Sequence, residues 1–385
     1  MKKKVALLGL WDVSNYGDPV LAFCTKNLLT NSFGGLGAID IVEVSLKPVL
    51  KISLCRRVIE ASFCRFARIF GVEQKIRMII MVHRVTEYYS KILRNFDAIV
   101  FAGGGIIKYR IEIFDYIIES ILKIAKAKGI PVALNAVGIE GYDSTDERCM
   151  ELKKHLNSPI LKYISTRDDL QTLTKDYLDG NTRTLCERVA DPAVWSAECF
   201  GTHRDESSNV VGIGVARGDI FKDYGRNFTA GEMINLYEKM VYSFLNKGFR
   251  VELFTNGLNL DNEFLEKVMA RLSNTGVKKR IPVSAKELVE TIASYRAIVT
   301  TRMHAGIIAY SLDIPAIGLV WNDKIKFFWT CAGHPENCVD VESLTSNNVT
   351  EALENAIKKG YNQEYKQKYR KTIKDGIANI ASILV

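Results

Sequence analysis

No CxxC pair occurs among the eight cysteines, and none stands at a zinc-site spacing from a histidine. That removes the common structural zinc motifs and leaves a reducing, cytoplasmic interior as the expectation. No uninterrupted apolar run approaches the length needed to span a bilayer. The opening MKKKVALLGLWD breaks at Asp12 and lacks a small-residue cleavage site, so it reads as a first core strand rather than a signal peptide. There is no GxGxxG, which removes the dinucleotide fingerprint. Internal repeats and low-complexity tracts are missing too.

What is present is a chain of 385 residues, 47% hydrophobic and 25% charged, a size that suits two domains with ordinary cores. The net charge of +8 is unevenly placed. Between Lys47 and Arg94 eleven Lys/Arg face three Glu, an excess equal to that of the whole chain. In that stretch basic residues mix with Phe63, Phe66 and Phe70. The spacing predicts a helix whose apolar stripe packs on the first domain, with solvated arginines. The alternative is peripheral contact with an anionic membrane at the inner face of the plasma membrane. Nucleic acid is not expected, because no recognised binding module accompanies the charge.

Short apolar runs alternate with longer amphipathic ones, the pattern of parallel sheets wrapped by helices. Strands are expected at Val5–Gly9, Ile39–Val44, Ala98–Ala102, Pro131–Ala136, Tyr163–Ser165, Val210–Val215, Arg250–Phe254, Ala297–Thr300 and Ala316–Val320. Residues 201–209 are polar and aperiodic and read as a linker. The expected architecture is α/β, with two Rossmann-like doubly wound domains facing across a cleft. They span residues 1–200 (acceptor side, with the basic region 47–94) and 209–340 (donor side). Helices over 341–385 are expected to pack back on the N-terminal domain.

Ligands of such sheets bind beyond the carboxyl ends of the strands, and the candidate groups fall there. Asn15 and Asp18 lie in the loop after the first strand, and Gly103, Gly104 and Gly105 follow Asp97–Phe101. Arg167 precedes Asp168, a candidate helix cap, and Arg217 follows Val210–Val215. Arg302 and His304 stand two residues apart after Ala297–Thr300, where an extended chain would point both to one side ahead of a helix from Ala305. A guanidinium grips carboxylate or phosphate as a fork, a helix N-terminus favours an anion, and a histidine moves protons near neutrality. Lys324, after the next strand, would add positive charge. No metal-binding constellation is visible.

The ordered set Asn15-Tyr-Gly-Asp18, Asp97–Gly105, Ala136-Val-Gly138, Ser165-Thr-Arg167-Asp168, Ala190-Asp-Pro192, Arg302-Met-His304-Ala305 and Asp313-Ile-Pro-Ala316 with Lys324 resembles the polysaccharide pyruvyl transferase family. Pro19 departs from the acidic or small residue common there, and Met303 replaces a common leucine. The resemblance implies a GT-B-like fold. It also implies transfer of a pyruvyl group from phosphoenolpyruvate to two hydroxyls of a sugar, giving a cyclic ketal, in cell-surface polysaccharide biosynthesis. On that reading His304 and Arg302 are catalytic; Arg217, Arg302, Lys324 and Arg167 bind the donor; Asn15, Asp18 and Gly103–Gly105 serve the acceptor side. Phosphoenolpyruvate is the co-substrate, with no other cofactor and no metal, and the acceptor is a sugar or lipid-linked oligosaccharide. The rival enzyme reading is a nucleotide-sugar-dependent glycosyltransferase on the same scaffold. A sugar-binding protein without turnover is the non-enzyme alternative.

Overall fold

The computed structural model describes residues 2–34, 39–110 and 112–384. Two parallel sheets form, each in a compact unit of its own. The first unit runs to Trp11, resumes from Leu28 to Arg188 and returns from Gly376; the second comprises Asp12–Asn27 and Val189–Asp375. The segment read as a linker therefore lies wholly inside the second unit, and residues 12–27 belong there rather than with the first.

The first sheet holds β1 (Lys3–Gly9), β2 (Ile39–Ser45), β3 (Ala98–Phe101), β4 (Gly104–Ile107), β5 (Val132–Ile139), β6 (Leu161–Thr166) and β7 (Leu185–Arg188). Its order is β2-β1-β3-β5-β6-β7, with β4 also paired to β5. Every residue of β3 and β5 is buried, the signature of a parallel sheet covered on both faces. Residues from Gly376 onward join this unit: Lys3 Nζ donates to the Leu384 carbonyl at 2.7 Å, and Asn379 Nδ2 to Glu187 at 2.9 Å.

The second sheet holds β8 (Val210–Gly214), β9 (Arg250–Phe254), β10 (Lys278–Arg280), β11 (Ala297–Thr300), β12 (Ala316–Val320) and β13 (Cys338–Asp340), in the order β10-β9-β8-β11-β12-β13. Gly214 lies opposite Thr300 on the neighbouring strand. A methyl group at Gly214 would meet Thr300 Oγ1 at 2.8 Å and the Phe254 ring at 3.0 Å, so the strand ends close up only around glycine. β8 and β11 thus deliver their following loops side by side.

The basic region folds as two helices, Leu54–Ile69 and Glu73–Ile92. Only Cys64 and Ala67 of the first are buried. The expected apolar stripe packed on the domain is not found: Phe63, Phe66 and Phe70 are exposed. Among the described residues no helix is long and apolar enough to cross a membrane.

Candidate active site

The turn after β11 is tightly held. Thr300 Oγ1 accepts from the Arg302 N–H at 3.0 Å, Trp321 Nε1 donates to the Thr301 carbonyl at 2.6 Å, and Tyr237 Oη meets Thr301 Oγ1 at 2.9 Å. Burial pushes the Tyr237 phenol up to about 12, against the lowering effect of the Thr301 hydroxyl and the Ala216 N–H. So fixed, the helix Met303–Ser311 begins two residues before the expected start, and Arg302 is its extended cap. Arg302 and His304 therefore do not share one side of a strand. Each meets its own carboxylates.

His304, 6% exposed, occupies the first helical turn. Its Nδ1 lies 3.8 Å from Asp18 Oδ1 and its Nε2 lies 3.8 Å from Asp191 Oδ2. Each ring nitrogen thus faces a carboxylate, beyond hydrogen-bond length but close enough for electrostatic pairing. Asp191 is fixed by capping the turn Pro192–Trp195, where Oδ1 accepts from the Ala193 N–H at 2.8 Å. Asp18 Oδ2 accepts from Asn15 Nδ2 at 3.0 Å. Gly17 makes the approach feasible: a methyl group there would stand 2.4 Å from His304 Cβ and 2.7 Å from Nδ1.

Arg302 gives its fork to Asp261, a fully buried residue of the helix Asn259–Arg271. Nε–Oδ2 is 2.8 Å and Nη2–Oδ1 is 2.5 Å. The Arg217 N–H donates to the same Oδ1 at 3.0 Å, and the Arg217 side chain pairs with Asp223 at 2.5 Å. Asp261 thereby ties the loop after β8 to the loop after β11. Arg302 still carries the two N–H groups of Nη1, which make no hydrogen bond among the described residues. Lys324 is half-buried in the first turn of the helix Asp323–Cys331, directly after β12.

The loop before Asp18 is seated in the same unit. The Tyr16 N–H donates to the Asn256 carbonyl at 2.9 Å. Gly257, with φ of +94°, leaves the space that the Tyr16 ring fills; a methyl group there would lie 2.4 Å from it. Asn256 Nδ2, Asn15 Oδ1 and Asn322 Oδ1 are buried atoms with no hydrogen-bond partner among the described residues. Buried amide atoms are rarely left so.

Of the residues singled out in the sequence, the second unit thus brings together His304, Arg302, Arg217, Asn15 and Asp18, with Lys324 at the next strand end. Arg167 and Gly103–Gly105 belong to the first unit. Gly104 opens β4 rather than completing a turn, with φ of +114° at Gly103 and +99° at Gly104. Asp168 was the expected cap of a following helix; it accepts instead from the Ile139 N–H at 3.2 Å, Thr166 Oγ1 at 2.8 Å and the Asp169 N–H at 2.8 Å. Nearby, Asn135 is fully buried with neither amide atom partnered among the described residues, and Ala136 is held at φ of +46°, strained for a residue with a side chain.

Sequence reasoning missed Asp261 as the partner of Arg302. The signal was available, since Asp261 follows β9 just as the other candidates follow their strands. Asp191 lay in a quoted motif without a role. The sequence also showed no metal constellation, yet the fold gathers Glu119, Glu151 and His155 with their ligand atoms within 4.8 Å. Lys123 at 2.5 Å from Glu119 and Lys154 at 3.0 Å from Glu151 already neutralise those carboxylates, so a cation would have to displace them.

A sequence search of curated proteins finds no match. Among solved structures, the UDP-GlcNAc 2-epimerase of Methanocaldococcus jannaschii is similar at a TM-score of 0.56 and 12% identity, covering 100% of both chains. The Neisseria meningitidis UDP-GlcNAc 2-epimerase bound to UDP-GlcNAc gives 0.56 and 11%, covering 100% of this chain and 99% of that one. At such identities the likeness speaks for the fold, which is GT-B-like, as the sequence implied. A family model described as polysaccharide pyruvyl transferase matches residues 15–323, from Asn15 through the Arg302–His304 turn. On that match, the chain belongs to the polysaccharide pyruvyl transferase family.

Proposed function

We propose that the protein transfers the pyruvyl group of phosphoenolpyruvate to two hydroxyls of one sugar, forming a cyclic ketal and releasing inorganic phosphate. The observation that carries this reading is His304, buried between Asp18 and Asp191 at a helix N-terminus, beside the Arg302–Asp261–Arg217 cluster.

Phosphoenolpyruvate brings a carboxylate and a phosphate. Arg302 through Nη1, Arg217, Lys324 and the first N–H groups of the helix Met303–Ser311 are the anchors. In the first half-reaction a sugar hydroxyl oxygen bonds to C2 of the donor while its own proton leaves. The C2=C3 electron pair takes a proton at C3, making a methyl group. In the second, a neighbouring hydroxyl bonds to C2, the C2–O bond to phosphate breaks with its electron pair on phosphate, and the hydroxyl proton leaves. Two protons depart and one is delivered, which calls for one group able to act in both directions. His304 fills that role, with Asp18 and Asp191 orienting its ring. Gly103, Gly104, Gly105 and Arg167, held in the first unit, take no step in the reaction as written.

Phosphate release from phosphoenolpyruvate, assayed against galactosides, mannosides and N-acetylhexosaminides, tests the proposal. Release is expected with one acceptor class and is lost in His304→Ala while that variant stays folded. Near-normal turnover in His304→Ala would overturn the assignment. A rise in melting temperature with nucleotide sugars but not with phosphoenolpyruvate would turn the reading to glycosyl transfer.

A further inference from the structure

We propose that the helix Leu54–Ile69 is a docking element for an anionic bilayer surface. The inference is independent of the reaction above.

The helix is amphipathic in an inverted sense. Its inward side consists of Cys64 and Ala67, with Arg56 and Glu60 half-buried. Its outward side carries Leu54 (77% exposed), Val58 (59%), Ile59 (57%), Phe63 (63%), Phe66 (63%) and Ile69 (77%). At 3.6 residues per turn these six fall on about half the circumference, opposite Cys64 and Ala67. Phe70 continues the surface, its ring 5.1 Å from that of Phe66. A contiguous apolar face of this size is uncommon on a soluble protein unless something covers it.

The helix is also firmly held. Arg56 pairs with Glu60 at 3.0 Å and with Glu87 at 2.7 Å, Arg84 binds Glu60, and Arg68 and Arg77 bind Glu73 at 2.5 and 2.6 Å. Three of these pairs, Arg56–Glu87, Arg84–Glu60 and Arg68–Glu73, link the helix to its neighbour Glu73–Ile92. They also use up every acidic residue of the basic stretch, Glu60, Glu73 and Glu87. Lys47, Lys51, Arg57 and Arg65 have no ion pair among the described residues, and Arg57 and Arg65 are exposed on the helix that bears the apolar face. Large apolar side chains interleaved with uncompensated cations suit a surface that is apolar below and negative at its headgroups. A second copy of this chain would bring the same positive charge to the contact, so charge complementarity favours the bilayer.

The test is cosedimentation of the full-length protein with vesicles of equal parts phosphatidylglycerol and phosphatidylcholine, against phosphatidylcholine alone. Two double variants accompany it, Phe63→Ser/Phe66→Ser and Arg57→Gln/Arg65→Gln, all at exposed positions where folding should be unaffected. Expected are binding to the mixed vesicles that weakens with salt, little binding to phosphatidylcholine, and roughly tenfold or greater loss in each variant. Absence of binding to mixed vesicles at low salt, or binding unchanged in both variants, overturns the proposal. So does a wild-type dimer in sedimentation velocity that Phe63→Ser/Phe66→Ser dissociates without any vesicle binding; that result gives the face to a second copy.

Discussion

Replacing Gly17 by alanine sets two effects of opposite sign against each other, and the structure decides between them. Gly17 opens the helix Gly17–Ser32, and inside a helix alanine is favoured over glycine by up to about 1 kcal/mol. At the first helical residue the gain is smaller. Against it stands the added methyl group, 2.4 Å from His304 Cβ and 2.8 Å from Cγ, where carbon atoms need about 3.5 Å. A Cβ moves only with its backbone, so relief means shifting one helix against the other by about 1 Å. Overpacking of this kind costs about 1–3 kcal/mol, which outweighs the helical gain. The expected net is a loss of about 1–2 kcal/mol, seen as a melting point lower by roughly 2–8 °C. Displacing the imidazole by such a distance should also lower phosphate release by about a hundredfold. Scanning calorimetry and the phosphate assay measure the two. A Gly17→Ala protein as stable as wild type and fully active would show that the segment does not press on His304, and the site as described would fall.

Asp261→Asn removes the fully buried carboxylate that grips the partly exposed Arg302 guanidinium and should cost about 2–4 kcal/mol in urea unfolding, somewhat under the cost of breaking a fully buried pair; a loss below about 1 kcal/mol would refute the pairing. Lys366 is almost fully buried, its Nζ 2.8 Å from Asp313 and 5.1 Å from the Tyr310 ring centroid. Burial lowers its pKa, and Asp313 restores only part of that. The unfolded chain then binds this proton more tightly than the folded one, so the ammonium's penalty is full below the lowered pKa and fades as pH rises toward the ordinary lysine value. Lys366→Met should therefore match or exceed wild-type stability at neutral pH, with the gap closing in alkaline buffer. A difference independent of pH would refute this.

The inner strands were legible because buried parallel strands are written as apolar runs: Ala297–Thr300 and Ala316–Val320 stand within the expected bounds. The edge strands β7, β10 and β13, short and largely unburied, carry no such run and were not expected. β4 was not legible, since Gly104 and Gly105 read as a turn, yet their small size lets the chain lie against β5. The helix start at Met303 was hidden for a different reason. It is set by the local Thr300 bond together with the Tyr237 and Trp321 bonds to Thr301, and the last two come from residues far along the chain. Distance also hid the carboxylates around the site: the motifs include Asp18 and Asp191 but cannot say that both meet His304, and Asp261, which meets Arg302, stands in none of them. For the helix Leu54–Ile69 the periodicity told which side chains share a face. Whether anything covers that face is a property of the rest of the fold.

Residues 12–27 count with the second unit although they are made among the first. During synthesis the opening turns of the helix Gly17–Ser32 leave the ribosome long before Asn256, which receives the Tyr16 N–H, and before His304, which fills the space above Gly17. The surroundings of His304 thus have their earliest and some of their latest parts separated by most of translation, and a fragment beginning at Val189 would be born without Asp18, one of the two carboxylates that flank the ring.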